Sequence, residues 1–219
     1  MREALTNQEY ETYQKAYDLF NARLFDGMLN DVLITLQRKP NTFGYFSKGA
    51  FNAVGDSEGE RAIDEIAVNP DIHAQFPPIE VWQTLVHEMC HKWQHDFGKP
   101  SRRTYHNQEW ANKMNSIGLI PSSTGKPGGN MTGQKMADYP AEDGAFIQAV
   151  RELDRKGVAL SAQSYVPPLV ETVVETMSDE IINEHIEEGY TEAESLKIAY
   201  AVGKRSKLKY ECPECGLAV

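Results

Sequence analysis

Residues 81–95 contain the feature that most constrains this chain, because two histidines stand four positions apart with a glutamate directly after the first. These residues are His87, Glu88 and His91, and they match the pattern H-E-x-x-H. On an α-helix, side chains four positions apart lie on one face, so both imidazoles can bind a single metal ion. The carboxylate of Glu88 is then placed to reach a water molecule at that ion.

The rest of this segment has the pattern of an amphipathic helix. At about 100° per residue, its apolar side chains fall on one wide arc and the three polar residues of the pattern on a separate arc. A chance H-E-x-x-H match on a solvated helix would lack this apolar face, so the pattern indicates a metal-binding helix that packs on a core. The apolar arc contains Val81, Trp82, Leu85, Val86, Met89, Cys90 and Trp93.

A catalytic zinc site usually has three protein ligands and leaves a fourth position to water. His106 is the best candidate for the third ligand, because it stands at the start of the next predicted helix, where a chain reversal would return it to the metal. His95 lies on the ligand side of the first helix, but a third one-turn step would stretch the coordination geometry. Glu109 stays open as an alternative, since zinc sites with two histidines and a glutamate are known.

Patterns before the metal-binding helix predict an α+β arrangement with a small antiparallel sheet. A first helix is predicted over residues 6–28, with Thr6 and Glu9 as a capping box and a stripe of aromatic residues that begins at Tyr10. Alternating and β-branched residues predict the strands. They are placed at residues 32–36, 42–51 and 62–68.

After the metal-binding helix, Asn107 is predicted to cap a helix, and residues 118–140 form a loop rich in glycine, proline, serine and threonine. Long loops in compact domains are usually functional or disordered, and of these two interpretations a lid or a substrate-binding loop is preferred here. An acidic, mostly helical extension follows. The predicted domains are residues 1–140, the extension 141–203, and a basic linker with a cysteine pair at 204–219.

The net charge of −10 argues against a general nucleic-acid-binding protein. The charge is uneven, however, and residues 76–140 carry 7 basic and 5 acidic side chains. Charge alone leaves two interpretations open, a basic patch beside the predicted metal site that contacts phosphate and an ordinary solvated surface of mixed charge. No apolar run has the length of a membrane helix. The N-terminus is polar, and we therefore expect a cytoplasmic protein without membrane contact.

Several short motifs accompany the metal-binding pattern over residues 6–140. They are LFDG at 24–27, IDEIAVNP at 63–70, HEMCH at 87–91, HNQEW at 106–110 and GLIPSSTG at 118–125. Together they resemble the SprT-like (Spartan-related) metallopeptidase domain, whereas H-E-x-x-H alone is shared by many zincins. The resemblance implies a zincin-like fold.

The resemblance also implies a zinc-dependent endopeptidase in which His87, His91 and His106 bind zinc and Glu88 is the catalytic residue. The best known members of this family cleave proteins crosslinked to DNA. The implied partners are therefore a protein substrate and DNA, and the implied location is cytoplasmic, in association with the nucleoid. The alternative is a non-proteolytic DNA-binding or regulatory zinc module, but a purely structural site does not need Glu88.

The predicted mechanism follows from the site. Glu88 takes a proton from water, the hydroxide attacks a peptide carbonyl, and Glu88 returns the proton to the leaving amine. Tyr105 and Tyr139 are candidates for an additional oxyanion donor.

A second metal site is predicted near the C-terminus, where Cys212 and Cys215 form a C-x-x-C pair followed by Gly216. This pair resembles the first knuckle of the zinc ribbon that accompanies the family. A ribbon needs four ligands, and the third cysteine, Cys90, lies on the apolar face of the metal-binding helix. We therefore predict an incomplete site, whose second pair lies beyond residue 219 or on a partner.

Overall fold

The structure is a computed structural model, and it describes residues 4–39, 42–54, 61–73, 76–102 and 104–162. In these ranges the helices are α1 (Leu5–Leu24), α2 (Pro70–His73), α3 (Pro78–Phe97), α4 (Gln108–Ser116) and α5 (Ala145–Arg155). The strands are β1 (Leu33–Leu36), β2 (Gly44–Asn52), β3 (Ala62–Val68), β4 (Leu119–Ser122) and β5 (Ala137–Pro140). No helix in the described ranges is both long and apolar enough to cross a membrane.

Strands β1, β2 and β3 form one sheet with β3 in the centre. The pairing of β2 with β3 is antiparallel, but β1 runs parallel to β3, with Leu33 opposite Glu65. The predicted α+β class is confirmed, while the sheet is mixed rather than wholly antiparallel. The alternation of side chains that predicted each strand is the same in both pairing directions, so it could not distinguish them.

The hydrophobic core lies between the helices and one face of this sheet. Trp82 of α3 meets the rings of Tyr13 and Phe20 of α1 edge-on, at centroid distances of 6.0 and 6.3 Å. Phe20 also stacks on Phe146 of α5 at 6.0 Å. Helix α5 therefore packs on α1, although the sequence assigned it to the acidic extension. Residues 163–219, which include the rest of that extension and Cys212 and Cys215, lie outside the described residues.

The start of α1 differs from the prediction. The helix begins at Leu5 with Ala4 as its N-cap, which makes no side-chain capping hydrogen bond. The predicted capping box is therefore wrong. Glu9 instead accepts hydrogen bonds from the backbone amides of Ser161 and Ala162, at 2.8 and 3.0 Å, and it is buried by the segment that follows α5. Glu9 therefore bonds to residues more than 150 positions away instead of to the predicted local partner at the helix start.

The end of α1 comes at Leu24, four residues before the predicted end. Asp26 and Gly27 adopt positive φ angles of 55° and 69°, which an α-helix cannot continue through. The predicted stripe of this helix is buried from Tyr13 onwards, but Tyr10 is 43% exposed.

Gly44 allows β2 to lie directly against α3. A Cβ atom at this position would come within 2.7 Å of the Ala67 carbonyl oxygen and of the Thr84 methyl group. Glu88 lies beside the same spot, since its Cγ atom would be 3.5 Å from that Cβ. The glycine thus brings the edge of β2 next to the predicted catalytic residue.

The predicted loop over residues 118–140 contains regular structure. Strands β4 and β5 pair antiparallel, with Leu119 opposite Pro140 and Ser122 opposite Ala137. The connecting turns are held by internal hydrogen bonds, including one from the Ser122 hydroxyl to the Lys126 carbonyl at 2.6 Å. We refer to residues 119–140, which comprise β4, β5 and their connection, as the ribbon; it is distinct from the zinc ribbon expected near Cys212. Its predicted role as a lid or substrate-binding loop stays a prediction.

Candidate metal centre

Helix α3 carries the H-E-x-x-H pattern, and its ends explain its length. Pro78 occupies the first turn, where its missing amide hydrogen costs nothing, and Gly98 closes the last turn by donating its amide hydrogen to the Gln94 carbonyl at 2.9 Å. The predicted apolar face is buried, and Leu85, Val86, Met89 and Cys90 are fully inaccessible to solvent. Packing therefore fixes which way the opposite face, with its two histidines, points.

Hydrogen bonds from the buried side chain of Gln94 to the half-buried Asn107 and Glu109 connect α3 to the segment that carries His106. Gln94 donates to Asn107 at 2.7 Å and to Glu109 at 2.8 Å. Glu109 accepts the amide hydrogen of Lys99 at 2.6 Å, which ties the turn after α3 to the start of α4. Asn107 also caps α4 by accepting from the Trp110 amide, so the predicted cap is confirmed.

The structure brings the imidazoles of His87, His91 and His106 together. One ligand nitrogen from each ring lies within 4.8 Å of the others, close enough for all three to hold one metal ion. The Nε2 atoms of His91 and His106 are 3.1 Å apart. In the described part of the chain, this is the group of His, Cys, Asp and Glu side chains that has the geometry of a metal site.

Two of the three rings are oriented by the ribbon. His87 Nδ1 lies 3.0 Å from Asp138 Oδ2, and His106 Nδ1 lies 3.2 Å from the Gly133 carbonyl oxygen. His106 and Gly133 also exchange backbone hydrogen bonds of 2.8 and 3.1 Å. Since both Nδ1 atoms have acceptors, the Nε2 atoms of these rings are the ones free to bind a metal. Asp138 was not predicted from the sequence, where the usable signal is that it is the only acidic residue among positions 119–140.

Trp110 forms an apolar wall behind the three imidazoles. The centroid of its indole ring system lies 4.8, 5.3 and 4.4 Å from those of His87, His91 and His106, and the indole stacks on His91 at an interplanar angle of 19°. The residue is fully buried. Its packing restricts the rotation of all three imidazoles. Such restriction is needed to hold ligands in the geometry that a metal ion requires.

The electrostatic environment differs among the three rings. Burial lowers the pKa of His106 to about 4 and, together with the neighbouring imidazoles, holds the pKa of His91 well below its usual range. Burial also acts to lower the pKa of His87, but the hydrogen bond to Asp138 and the charge of Glu88 outweigh it and raise that pKa. Near neutral pH, His91 and His106 are therefore neutral, which is the form that binds metal.

Glu88 is also buried, with 7% of its surface exposed. Burial raises the pKa of its carboxyl group, while a hydrogen bond from the Phe46 backbone amide and the charge of His87 oppose this effect. Phe46 lies in β2, the strand at one side of the sheet. The carboxylate is thus held between the metal-binding helix and the edge of the sheet.

The competing ligand candidates lie elsewhere. His95 contacts Asp96 at 3.3 Å and lies 5.9 Å from the Phe46 ring. Glu109 is engaged by Lys99 and Gln94, as described above. Neither belongs to the three-residue group.

These features define an α+β domain with an H-E-x-x-H helix and a three-histidine centre able to hold a metal ion, which is the arrangement of a metallopeptidase-like domain. Comparison with known protein families gives the same answer more specifically. The model of the SprT-like family matches residues 13–127, more than half of the chain, and this protein belongs to that family.

One similar protein is an uncharacterized protein in the mucB 3'region of Salmonella typhimurium. It is 46% identical over 61 residues, which cover 28% of this chain and 78% of the relative. No solved structure matches the chain.

Proposed function

We propose that this protein is a zinc-dependent endopeptidase that hydrolyses peptide bonds in proteins associated with DNA or crosslinked to it. The observation that carries the proposal is the position of Glu88. Its buried carboxylate follows directly after one of three clustered imidazoles and is held at the sheet edge. A centre that only stabilised the fold would gain nothing from burying this carboxyl group next to its ligands, because a carboxylate loses favourable hydration when it is buried.

The donor set fits zinc. Three imidazole nitrogens with an open fourth position are a known catalytic zinc environment. His87 and His106 each have an acceptor at Nδ1, as zinc-binding histidines usually do. When bound here, zinc would supply a Lewis acid that polarises a peptide carbonyl and makes water acidic enough to lose a proton near neutral pH.

The protein's own residues would then move the proton. Glu88 accepts it from the attacking water and delivers it to the leaving amine. A carboxyl group whose pKa is raised by burial is a stronger base than an exposed glutamate, which favours proton transfer from water to Glu88. Helix α3 and Trp110 keep the ligands in place during these steps.

DNA as a partner is supported by the charge around the centre. The exposed side chains of Arg102 and Lys135 belong to two loops that are joined by the backbone pairing of His106 and Gly133. Basic side chains on both loops would place a DNA backbone beside the centre. This arrangement brings a protein attached to DNA close to Glu88.

The test is the variant Glu88→Gln. We expect it to bind one zinc per chain like the parent and to lose cleavage of a fluorescently labelled unfolded protein and of a protein–oligonucleotide crosslink, each assayed with and without DNA. The exposed Glu142 provides a matched control, since Glu142→Gln makes the same chemical change away from the centre. Cleavage at the parental rate by Glu88→Gln would refute the mechanism. Stoichiometric zinc in the parent without cleavage of any substrate would instead support the non-proteolytic zinc module.

A further inference from the structure

The ribbon contributes a carboxylate to the candidate metal centre that has no place in the H-E-x-x-H pattern. Asp138 lies on β5, and its Oδ2 is 3.0 Å from His87 Nδ1. Both side chains are shielded from water, with 7% of Asp138 and 13% of His87 exposed. A hydrogen bond in such a site is stronger than one at the surface.

The other carboxylate oxygen of Asp138 is also occupied. Gln83 donates to Asp138 Oδ1 at 3.2 Å, and its side chain is buried. Gln83 and His87 stand four residues apart on α3, so Asp138 binds two consecutive turns of the same helix face. The carboxylate cannot rotate without breaking one of these two contacts.

We propose that Asp138 is a positioning residue for the metal centre, which holds the His87 ring with Nδ1 protonated and Nε2 directed at the metal. An ionised carboxylate can only accept hydrogen bonds, so it selects the tautomer that carries its hydrogen at Nδ1. The other ring nitrogen is then the one available as a ligand. The ribbon therefore becomes part of the centre although it supplies no ligand.

A second contact also connects the ribbon to a candidate ligand. Gly133 accepts from His106 Nδ1 at 3.2 Å through its backbone carbonyl, which no side-chain substitution removes. Asp138 is therefore the contact through which the role of the ribbon can be tested by mutation. The inference rests on the zinc site of the proposed function, but it does not depend on proteolysis.

The experiment compares zinc affinity among variants of the full chain, measured by competition with a chromophoric chelator. Asp138→Asn keeps the shape of the side chain and removes its charge. We expect its zinc affinity to fall about 10–100-fold, the usual loss when an outer partner of a ligating histidine is changed. Asp138→Glu, which restores the charge, should recover part of the loss. The matched control is Asp143→Asn, because Asp143 is exposed and pairs with Arg151 instead.

Two further measurements separate positioning from a general effect on folding. The metal-free Tm of Asp138→Asn should stay close to that of the parent, while the visible spectrum of bound Co²⁺ changes because the His87 ring is less constrained. Gln83→Leu should weaken zinc binding in the parent and have no added effect in Asp138→Asn, since Gln83 acts through the carboxylate.

Several results would overturn the inference. They are zinc binding by Asp138→Asn as tight as that of the parent, an equal loss in Asp143→Asn, and a parent that does not bind zinc at these histidines. Failure of the proposed function has a different signature, since the parent would bind zinc and the Asp138 variants would still lose affinity while no substrate is cleaved.

Discussion

Helix α3 and the ribbon each contribute to the three-histidine centre, but they do so in different ways. The helix supplies two of the candidate ligands from positions four residues apart, so its contribution is local in the sequence. The ribbon supplies none, and it reaches the centre through hydrogen bonds that span 51 residues to His87 and 27 residues to His106.

This comparison shows that one element can determine which residues are the ligands while another determines how their rings are oriented. A helix places two imidazoles on one face by its geometry alone. It does not decide which nitrogen of each ring faces the metal, because that depends on the acceptor at the other nitrogen. In this protein the ribbon provides those acceptors for two of the three rings.

The largest expected effect concerns the ligand that α3 does not provide. His106→Ala should weaken zinc binding more than about 100-fold, beyond the usual effect of an outer partner. His95→Ala is the control, because His95 is on α3 but outside the three-histidine group. The measurement is zinc affinity by chelator competition. Equal affinity in His106→Ala and the parent would mean that the helix alone makes the site.

The next largest effect concerns the connection between α3 and α4, which places His106 beside the histidines of α3. Gln94→Ala removes the donor shared by Asn107 and Glu109 and should lower the free energy of unfolding by about 1.5 kcal/mol, the lower end of the range for a hydrogen bond to a charged group, since both contacts are only partly buried. It should also weaken zinc binding. Gln108→Ala, which removes an exposed hydrogen bond to Asn112, is the control in urea titrations. A stable Gln94→Ala protein with unchanged zinc affinity would contradict the assigned role of this network.

A third prediction tests the contact between α3 and the sheet. Gly44→Ala introduces a methyl group that must displace the Ala67 carbonyl or the Thr84 side chain, and it should lower the free energy of unfolding by about 1–3 kcal/mol. Because Glu88 is held beside this point, cleavage should fall while zinc binding is retained. Lys48→Ala, at an exposed position of the same strand, should change stability by less than about 0.5 kcal/mol.

The smallest effect is expected inside the ribbon. Ser122→Ala removes a hydroxyl that donates to the Lys126 carbonyl, and it should lower the free energy of unfolding by about 0.5–1.5 kcal/mol. Its zinc affinity should change less than that of Asp138→Asn, since the strand pairing that carries Asp138 remains. The control is Ser116→Ala, which removes an exposed hydrogen bond within α4. A larger loss of zinc affinity in Ser122→Ala than in Asp138→Asn would show that the ribbon acts through its overall fold.

Prediction from the sequence succeeded where a feature depends on neighbouring residues and failed where it depends on residues far apart in the chain. The metal-binding helix, its buried face and the Asn107 cap depend on neighbours within a few residues, and the structure contains all three. The capping box predicted at Thr6 does not form, and Glu9 instead accepts a hydrogen bond from the hydroxyl of Ser161, far along the chain. The ribbon strands were missed because β4 and β5 are only four residues each and are rich in residues typical of loops.

The sequence by itself determined the metal-binding helix, the identity of the candidate ligands and the class of the fold, because each is encoded in periodicity or in short motifs. Only the tertiary structure decided the parallel pairing of β1, the packing of α5 on α1, and the selection of Asp138 and Gly133 as partners of the histidines. The physical reason is that a hydrogen bond between distant residues leaves no periodic trace in either segment. It forms only when packing has already brought the two groups within about 3 Å, the distance at which they can bond.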